Sequence, residues 1–148
     1  MKILQKSKRS LGQNFLIDKN IIKKIIKIGN INENKIVLEI GPGYGSLTES
    51  IANLKPKKII AIEKDKNLSI YLKKKFKDYE NIKIINDDIL TVIKKNNLEK
   101  NIVVFGNLPY NISTKILSSF AMLNKWPPWY DELILMFQKE VADRIIAK

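Results

Sequence analysis

Short, nearly uninterrupted apolar runs recur along this chain, each followed by a stretch with helical spacing. The runs are KIVLEI (35–40), KKIIAIE (57–63), NIKIIND (81–87), NIVVFG (101–106) and DELILMF (131–137). A strand that is apolar on both sides must be covered on both sides, which is the condition of a parallel strand with helices above and below it. Strands of this length alternating with helices predict a doubly wound, mainly parallel α/β sheet.

The intervening segments carry their own signals. Residues 18–28 place Ile21, Ile22, Ile25 and Ile26 on one helical stripe with lysines opposite, and Asp18 is placed to cap the start. Helices are also expected over 46–54, with Leu47, Ile51 and Leu54 inward, and over 66–77, with Leu68, Leu72 and Phe76 on one face. A short Lys-rich helix is expected over 91–98, and a longer one over 113–124 with Ile116, Leu117, Phe120 and Leu123 inward. Another begins in KEVADRIIAK, and no internal repeat is present. In doubly wound sheets, ligands bind beyond the carboxyl ends of the strands. Those ends carry Glu39–Gly45, Glu63, Asp87–Asp88 and Asn107–Tyr110. These segments are far apart in sequence, but the fold class puts them on one edge.

With 148 residues the chain is long enough for one domain with a real core. It has no cysteine and no histidine, which removes disulfides, thiolate nucleophiles, the commonest metal ligand and the commonest general base. Chemistry must then run on carboxylates, amides, hydroxyls, backbone groups and a bound cofactor. No run approaches the roughly 20 apolar residues of a membrane span, and the basic N-terminus lacks the apolar core of a secretory signal. No membrane association and a cytoplasmic address are expected. The net charge is +12, from 27 Lys+Arg against 15 Asp+Glu, which suits a polyanionic partner, nucleic acid above all. A Lys/Ile/Asn-rich vocabulary set by codon bias would give the same balance, and the excess of Lys over Arg leans that way, because Arg is the better phosphate fork.

The motif EIGPGYGSLT puts Gly41, Gly43 and Gly45 at alternate positions after the first strand, where the backbone must turn tightly and approach a ligand closely. This spacing is shorter than the G-x-G-x-x-G of pyrophosphate-binding nicotinamide sites. It suits a nucleoside cofactor without a pyrophosphate, and S-adenosylmethionine fits. Glu63, ending the second strand, is placed to accept hydrogen bonds from ribose hydroxyls. Asp87 or Asp88 is placed to accept one from an adenine amino group. Adjacent strand residues point to opposite faces, so these two are not expected to act as a carboxylate pair, and no metal site is expected.

The corner FGNLPYNIST (105–114) combines an amide, a rigid proline and an aromatic ring. The N6 of adenine is a poor nucleophile because its lone pair is delocalised into the ring. Acceptors aimed at its two N–H groups favour a pyramidal, more nucleophilic nitrogen. The Asn107 side-chain oxygen and a backbone carbonyl near Leu108-Pro109 are placed to do this, with Tyr110 stacking on the base. No strong base is needed, because the proton is lost once nitrogen has become cationic.

Together, SLGQNFL (10–16), EIGPGYGSLT, NLPYNIST and LMFQKEVADRI (135–145) resemble the ribosomal RNA adenine N6,N6-dimethyltransferase family, in order and over nearly the whole chain. The small-subunit branch fits better than the macrolide-resistance branch that acts on large-subunit RNA. The resemblance implies a Rossmann-like S-adenosylmethionine-dependent methyltransferase fold. It implies that Asn14 and Leu16 line the methionine end of the cofactor, that Gly41 and Gly43 contact it, and that Glu63 holds the ribose. It also implies that Asp88, rather than Asp87, holds the adenine and that Asn107 serves both cofactor and target. With Pro109 and Tyr110, Asn107 forms the catalytic corner. The implied substrate is a pair of adjacent adenosines in a hairpin near the 3′ end of small-subunit rRNA, each dimethylated. The implied partner is the pre-30S particle, with the protein a monomer taking part in ribosome assembly. Residues 1–17 are expected to form a basic arm carrying the cofactor-lining motif, and residues 18–148 a methyltransferase domain. Relatives continue with further strands and a small helical domain, so an N-terminal portion is expected here, with its fifth strand as an apolar edge.

Two other classes are weaker. A non-catalytic RNA-binding assembly or transcription factor on this fold has no need of Asn107, Tyr110 and the glycine loop together. A nicotinamide-dependent oxidoreductase is at odds with the glycine spacing and the NLPY corner.

Overall fold

The computed structural model describes residues 18–95 and 97–147. The elements are α1 (Lys19–Ile28), β1 (Ile36–Ile40), α2 (Ser46–Ala52), β2 (Lys58–Glu63), α3 (Lys66–Lys75), β3 (Ile82–Asn86), α4 (Ile89–Lys95), β4 (Ile102–Asn107), α5 (Ser113–Ala121), β5 (Tyr130–Met136) and α6 (Lys139–Ile146). The strands form one sheet in the order β3-β2-β1-β4-β5, with every pairing parallel. The doubly wound parallel α/β class is therefore observed. The order reverses direction between β1 and β4, and the end of these two strands is where such sheets open a ligand crevice.

Strand alternation divides the core into two layers. Ile36, Leu38 and Ile40 of β1 pack with Ile60, Ile62, Ile102, Val104 and the inner faces of α4 and α5. Val37 points the other way, with Ile59, Val103 and Phe105, against α1 and α2. Central strands β1, β2 and β4 are buried nearly throughout, while β3 and β5, at the edges, are only partly covered. The fifth strand is thus an edge, as expected.

Several element details differ from the sequence reading. In α1, Ile22 and Ile25 are buried, but Ile21 turns outward and is 45% exposed. Leu54 is also exposed, because α2 ends at Ala52 and the chain has already turned where Leu54 N–H reaches the Ile51 carbonyl. The Lys-rich helix begins at Ile89 rather than residue 91, since Asp88 caps it: its Oδ1 accepts Leu90 N–H at 2.9 Å.

The cations do not gather on one face. Exposed lysines 23, 24 and 27 lie on α1 and 73 and 74 on α3, while 94, 95 and 115 lie on the opposite layer. Net charge alone therefore does not point to a binding surface among the described residues.

Candidate functional site

Parallel register brings the strand ends together. Ile40 stands level with Ile62 on one side and Gly106 on the other, and Glu63 stands level with Asn86. Beyond this edge lie the glycine loop after β1, Glu63 at the end of β2, Asp87 and Asp88 after β3, and Asn107 at the end of β4. The loop needs its glycines: Gly41, Gly43 and Gly45 have φ of 64°, 59° and 82°, the left-handed region that side chains resist. A Cβ on Gly41 would find, among the described residues, only the Asn107 carbonyl oxygen at 4.0 Å, so open space faces the loop at the switch point. Gly45 serves packing instead, since a Cβ there would lie 2.7 Å from Phe76.

Glu63 is buried, and its carboxylate ties the loop to the strand. Gly43 N–H donates to one oxygen at 3.3 Å and Asp65 N–H to the other at 2.8 Å. Burial raises its pKa, against the pull of those backbone donors. Asn86 donates to the Glu63 carbonyl at 2.8 Å and fixes the neighbouring strand end.

Asp87 and Asp88 have separate partners, in keeping with their not acting as a pair. Asp87 accepts from Lys95 at 3.1 Å, and Asp88 from Lys64 at 2.8 Å. Those lysine hydrogen bonds hold both carboxyls below the usual range. Asp88 thus has a structural duty as the cap of α4.

At the β4 corner, the backbone is held by packing. A Cβ on Gly106 would strike Leu108 at 2.8 Å, and Leu108 itself is buried in the α4–α5 layer. The Pro109 carbonyl accepts Ile112 N–H at 3.2 Å, and the Tyr110 carbonyl accepts the Ser113 hydroxyl at 3.3 Å, closing the turn into α5. The Tyr110 ring is 42% exposed at the rim. Asn14 and Leu16 lie outside the described residues, as does the expected arm over 1–17.

The sequence reading names Glu39 only as the start of a strand-end segment and gives it no role of its own. It sits inside β1, 2% exposed, level with Ala61 and Phe105, and faces α2, where the Thr48 hydroxyl donates to it at 2.6 Å. Desolvation raises its pKa to about 7, with the nearby Glu63 charge adding to the effect and Thr48 and Lys75 opposing it. The signal was a carboxylate inside a strand whose neighbours, Leu38 and Ile40, are apolar. Such a residue must be paid for by something at its tip. Glu39 and Glu63 are on adjacent strands and the same face, so two buried carboxylates lie beneath the glycine loop. Among the described residues no group of three or more His, Cys, Asp or Glu is placed to hold a metal ion, and no helix is long and apolar enough to cross a membrane.

The family model for ribosomal RNA adenine dimethylase matches residues 4–148. The chain is 57% identical, over 97% of its length, to the ribosomal RNA small subunit methyltransferase A of Pelagibacter ubique (strain HTCC1062), and covers 53% of that relative. The chain spans about half the length of the curated relatives it matches. Among solved structures it is similar to a dimethyladenosine transferase from Plasmodium falciparum, with TM-score 0.76 and 33% identity, covering 91% of this chain and 47% of the other. It is also similar to the 23S rRNA methyltransferase ErmE, with TM-score 0.74 and 27% identity, covering 88% and 50% respectively. The sheet order, the strand-end residues and these likenesses agree, and the chain belongs to the ribosomal RNA adenine dimethylase family.

Proposed function

We propose that this chain carries the catalytic site of an enzyme that dimethylates N6 of two adjacent adenosines, in a hairpin near the 3′ end of small-subunit rRNA, using S-adenosylmethionine. The observation that carries the cofactor choice is the pair of buried carboxylates, Glu39 and Glu63, beneath the Gly41–Gly45 loop. In their ionised forms they suit a cationic cofactor and oppose an anionic dinucleotide. When bound, S-adenosylmethionine supplies an electrophilic methyl group on a positively charged sulfur. Gly41 and Gly43 leave room for it, Glu63 receives the ribose hydroxyls, and Asp88 receives the adenine amino group. Asn14 and Leu16, in the arm over 1–17, close the methionine end, and residues 18–148 belong to the methyltransferase domain. Asn107 and the carbonyl before Pro109 hold the target N6, and Tyr110 stacks on its base. The proposed setting is the pre-30S particle in the cytoplasm, with the protein a monomer.

The small-subunit substrate is favoured by the identity to the Pelagibacter relative, which exceeds that to the ErmE structure. Two measurements test the proposal. Calorimetric titration should show binding of S-adenosylmethionine and none of NAD. Labelled methyl groups should pass to small-subunit rRNA in a pre-30S particle, and not to large-subunit rRNA. Transfer to the large subunit alone would move the chain to the other branch, and cofactor binding with no transfer to either would favour the non-catalytic reading.

Glu63→Ala should weaken S-adenosylmethionine binding by about 1.5–3 kcal/mol, the scale of hydrogen bonds to a charged group. The fold should survive, because the desolvation cost of a buried carboxylate disappears along with its bonds to Gly43 and Asp65. Unchanged affinity in a cooperatively melting variant would remove Glu63 from the cofactor site.

A further inference from the structure

A second surface begins beside the strand-end crevice and leads away from it. Between α4 and α5 runs an open cleft of about 450 Å³, with Ile93 and Lys94 on one wall and Lys115, Ser118, Ser119 and Met122 on the other. Leu123 and Asn124 complete its lining, so it contains ammonium, hydroxyl and amide groups but no carboxylate. Its upper end is Lys115, near enough to Asp88 to help hold that carboxyl low. Its axis follows α5, which starts three residues after Tyr110 and, at nine residues, spans about 13 Å. Past its lower end the chain exposes large apolar side chains: Met122 is 78% exposed, and Trp126, two residues beyond Asn124, is 70% exposed.

This combination has a definite chemistry. Lysine, serine and asparagine donors are the groups that contact phosphate and sugar oxygens, and an exposed indole offers a face to an unstacked base. An apolar peptide would be met equally well by a cleft without cations. An acidic peptide would satisfy the lysines but leave no reason for the cleft to start at the base-clamping corner. We propose that the α4–α5 cleft is a track for the rRNA strand flanking the target adenosine, with Lys94 and Lys115 contacting phosphates and Trp126 stacking on a base. The proposal rests on the rRNA reading above.

The test is binding of a small-subunit rRNA fragment that contains the target hairpin and its flanking strand, followed by fluorescence anisotropy over a range of salt concentrations. In Lys94→Gln/Lys115→Gln, affinity should fall roughly ten-fold or more at 0.1 M salt, and the slope of log K against log salt should become shallower by about 1.4, which is two single-strand phosphate contacts. Trp126→Ala should cost roughly five-fold or more. Lys23→Gln/Lys24→Gln, on the opposite layer, should change neither quantity. Trimming the flanking strand from the RNA should erase the difference between the parent and the cleft variants. The cleft assignment is overturned on its own if the parent binds and methylates rRNA but the cleft variants match it in affinity and slope. It is also overturned if the cleft variants lose an acidic peptide and keep RNA. A parent that binds no rRNA overturns this proposal and the proposed function together. S-adenosylmethionine affinity, measured in each variant, separates loss of the track from damage to the cofactor site.

Discussion

Asn107→Ala is expected to lower methyl transfer about 10²–10³-fold while the chain still folds. The size follows from the task given to the side chain. In the proposed mechanism its oxygen accepts a hydrogen bond from N6 as positive charge develops there, and removal of one such preorganised group typically costs that much. The backbone on both sides of Asn107 is held in place. Leu108 is locked into the core, Gly106 has no room for a Cβ, and the turn is closed by the Pro109–Ile112 and Tyr110–Ser113 hydrogen bonds. An acceptor on a corner held in this way needs little reorganisation at the moment of reaction. Single-turnover assays with saturating cofactor would separate the rate loss from any weakening of cofactor binding. Tyr110→Phe should retain most activity, because stacking uses the ring, whereas Tyr110→Ala should lose about 1–3 kcal/mol of base stacking. Were Tyr110→Phe as inactive as Asn107→Ala, the hydroxyl would have a chemical role and the stacking account would fail.

The corner was legible as a turn from a buried strand into a helix, because an apolar run ends there in Asn, Pro and Tyr and a helical spacing follows. The same is true of the glycine loop, where every glycine has a positive φ. The order of elements was legible because parallel strands, covered on both faces, are apolar without alternation. What the apolar pattern could not reveal was which apolar residues fall outside the core. Ile21 lies one position from Ile22 on the helix, about 100° around its axis, and that rotation is enough to expose it. The sequence pattern places the start of α4 two residues late because the lysines at its end are conspicuous, whereas the helix starts where Asp88 caps it. Charge misled in a different way. A net +12 invites a single basic face, yet the lysines stand on both helix layers. Among the described residues, the α4–α5 cleft carries Lys94 and Lys115 and no carboxylate in its lining.

Glu39 shows the cost of reading a strand only by hydropathy, and it carries the second large effect. Its carboxyl has a pKa of about 7 in the fold, against 4.5 for an unperturbed glutamate, with desolvation the main cause. Between those two values the folded chain binds more protons than the unfolded chain, so the Glu39 contribution to stability falls as pH rises from about 4.5 to about 7 and is level above that. A difference of this size corresponds to about 3 kcal/mol, taken as an order of magnitude. Glu39→Gln removes the titration and keeps an oxygen to accept the Thr48 hydroxyl. Urea unfolding at a series of pH values should therefore show the variant gaining on the parent by about 3 kcal/mol between pH 4.5 and pH 8. Comparing the pair cancels the contributions of Asp87, Asp88 and Glu99, whose lowered pKa values have the opposite sign, while Glu63, which has the same sign and interacts with Glu39, cancels only in part. A parallel pH dependence for the two proteins would refute the assignment. On the proposed function, a cationic cofactor bound near Glu39 would favour its ionised form, which would give a reason for keeping this stability cost at the centre of the sheet, and binding should release a proton near neutral pH. The parent's affinity for S-adenosylmethionine should rise with pH across that window, while the Gln variant, having no proton to lose there, should show a flatter profile. S-adenosylhomocysteine, which lacks the sulfonium charge, should show less of the rise in the parent. An equal rise for both ligands would mean that Glu39 responds to burial by the ligand and not to its charge.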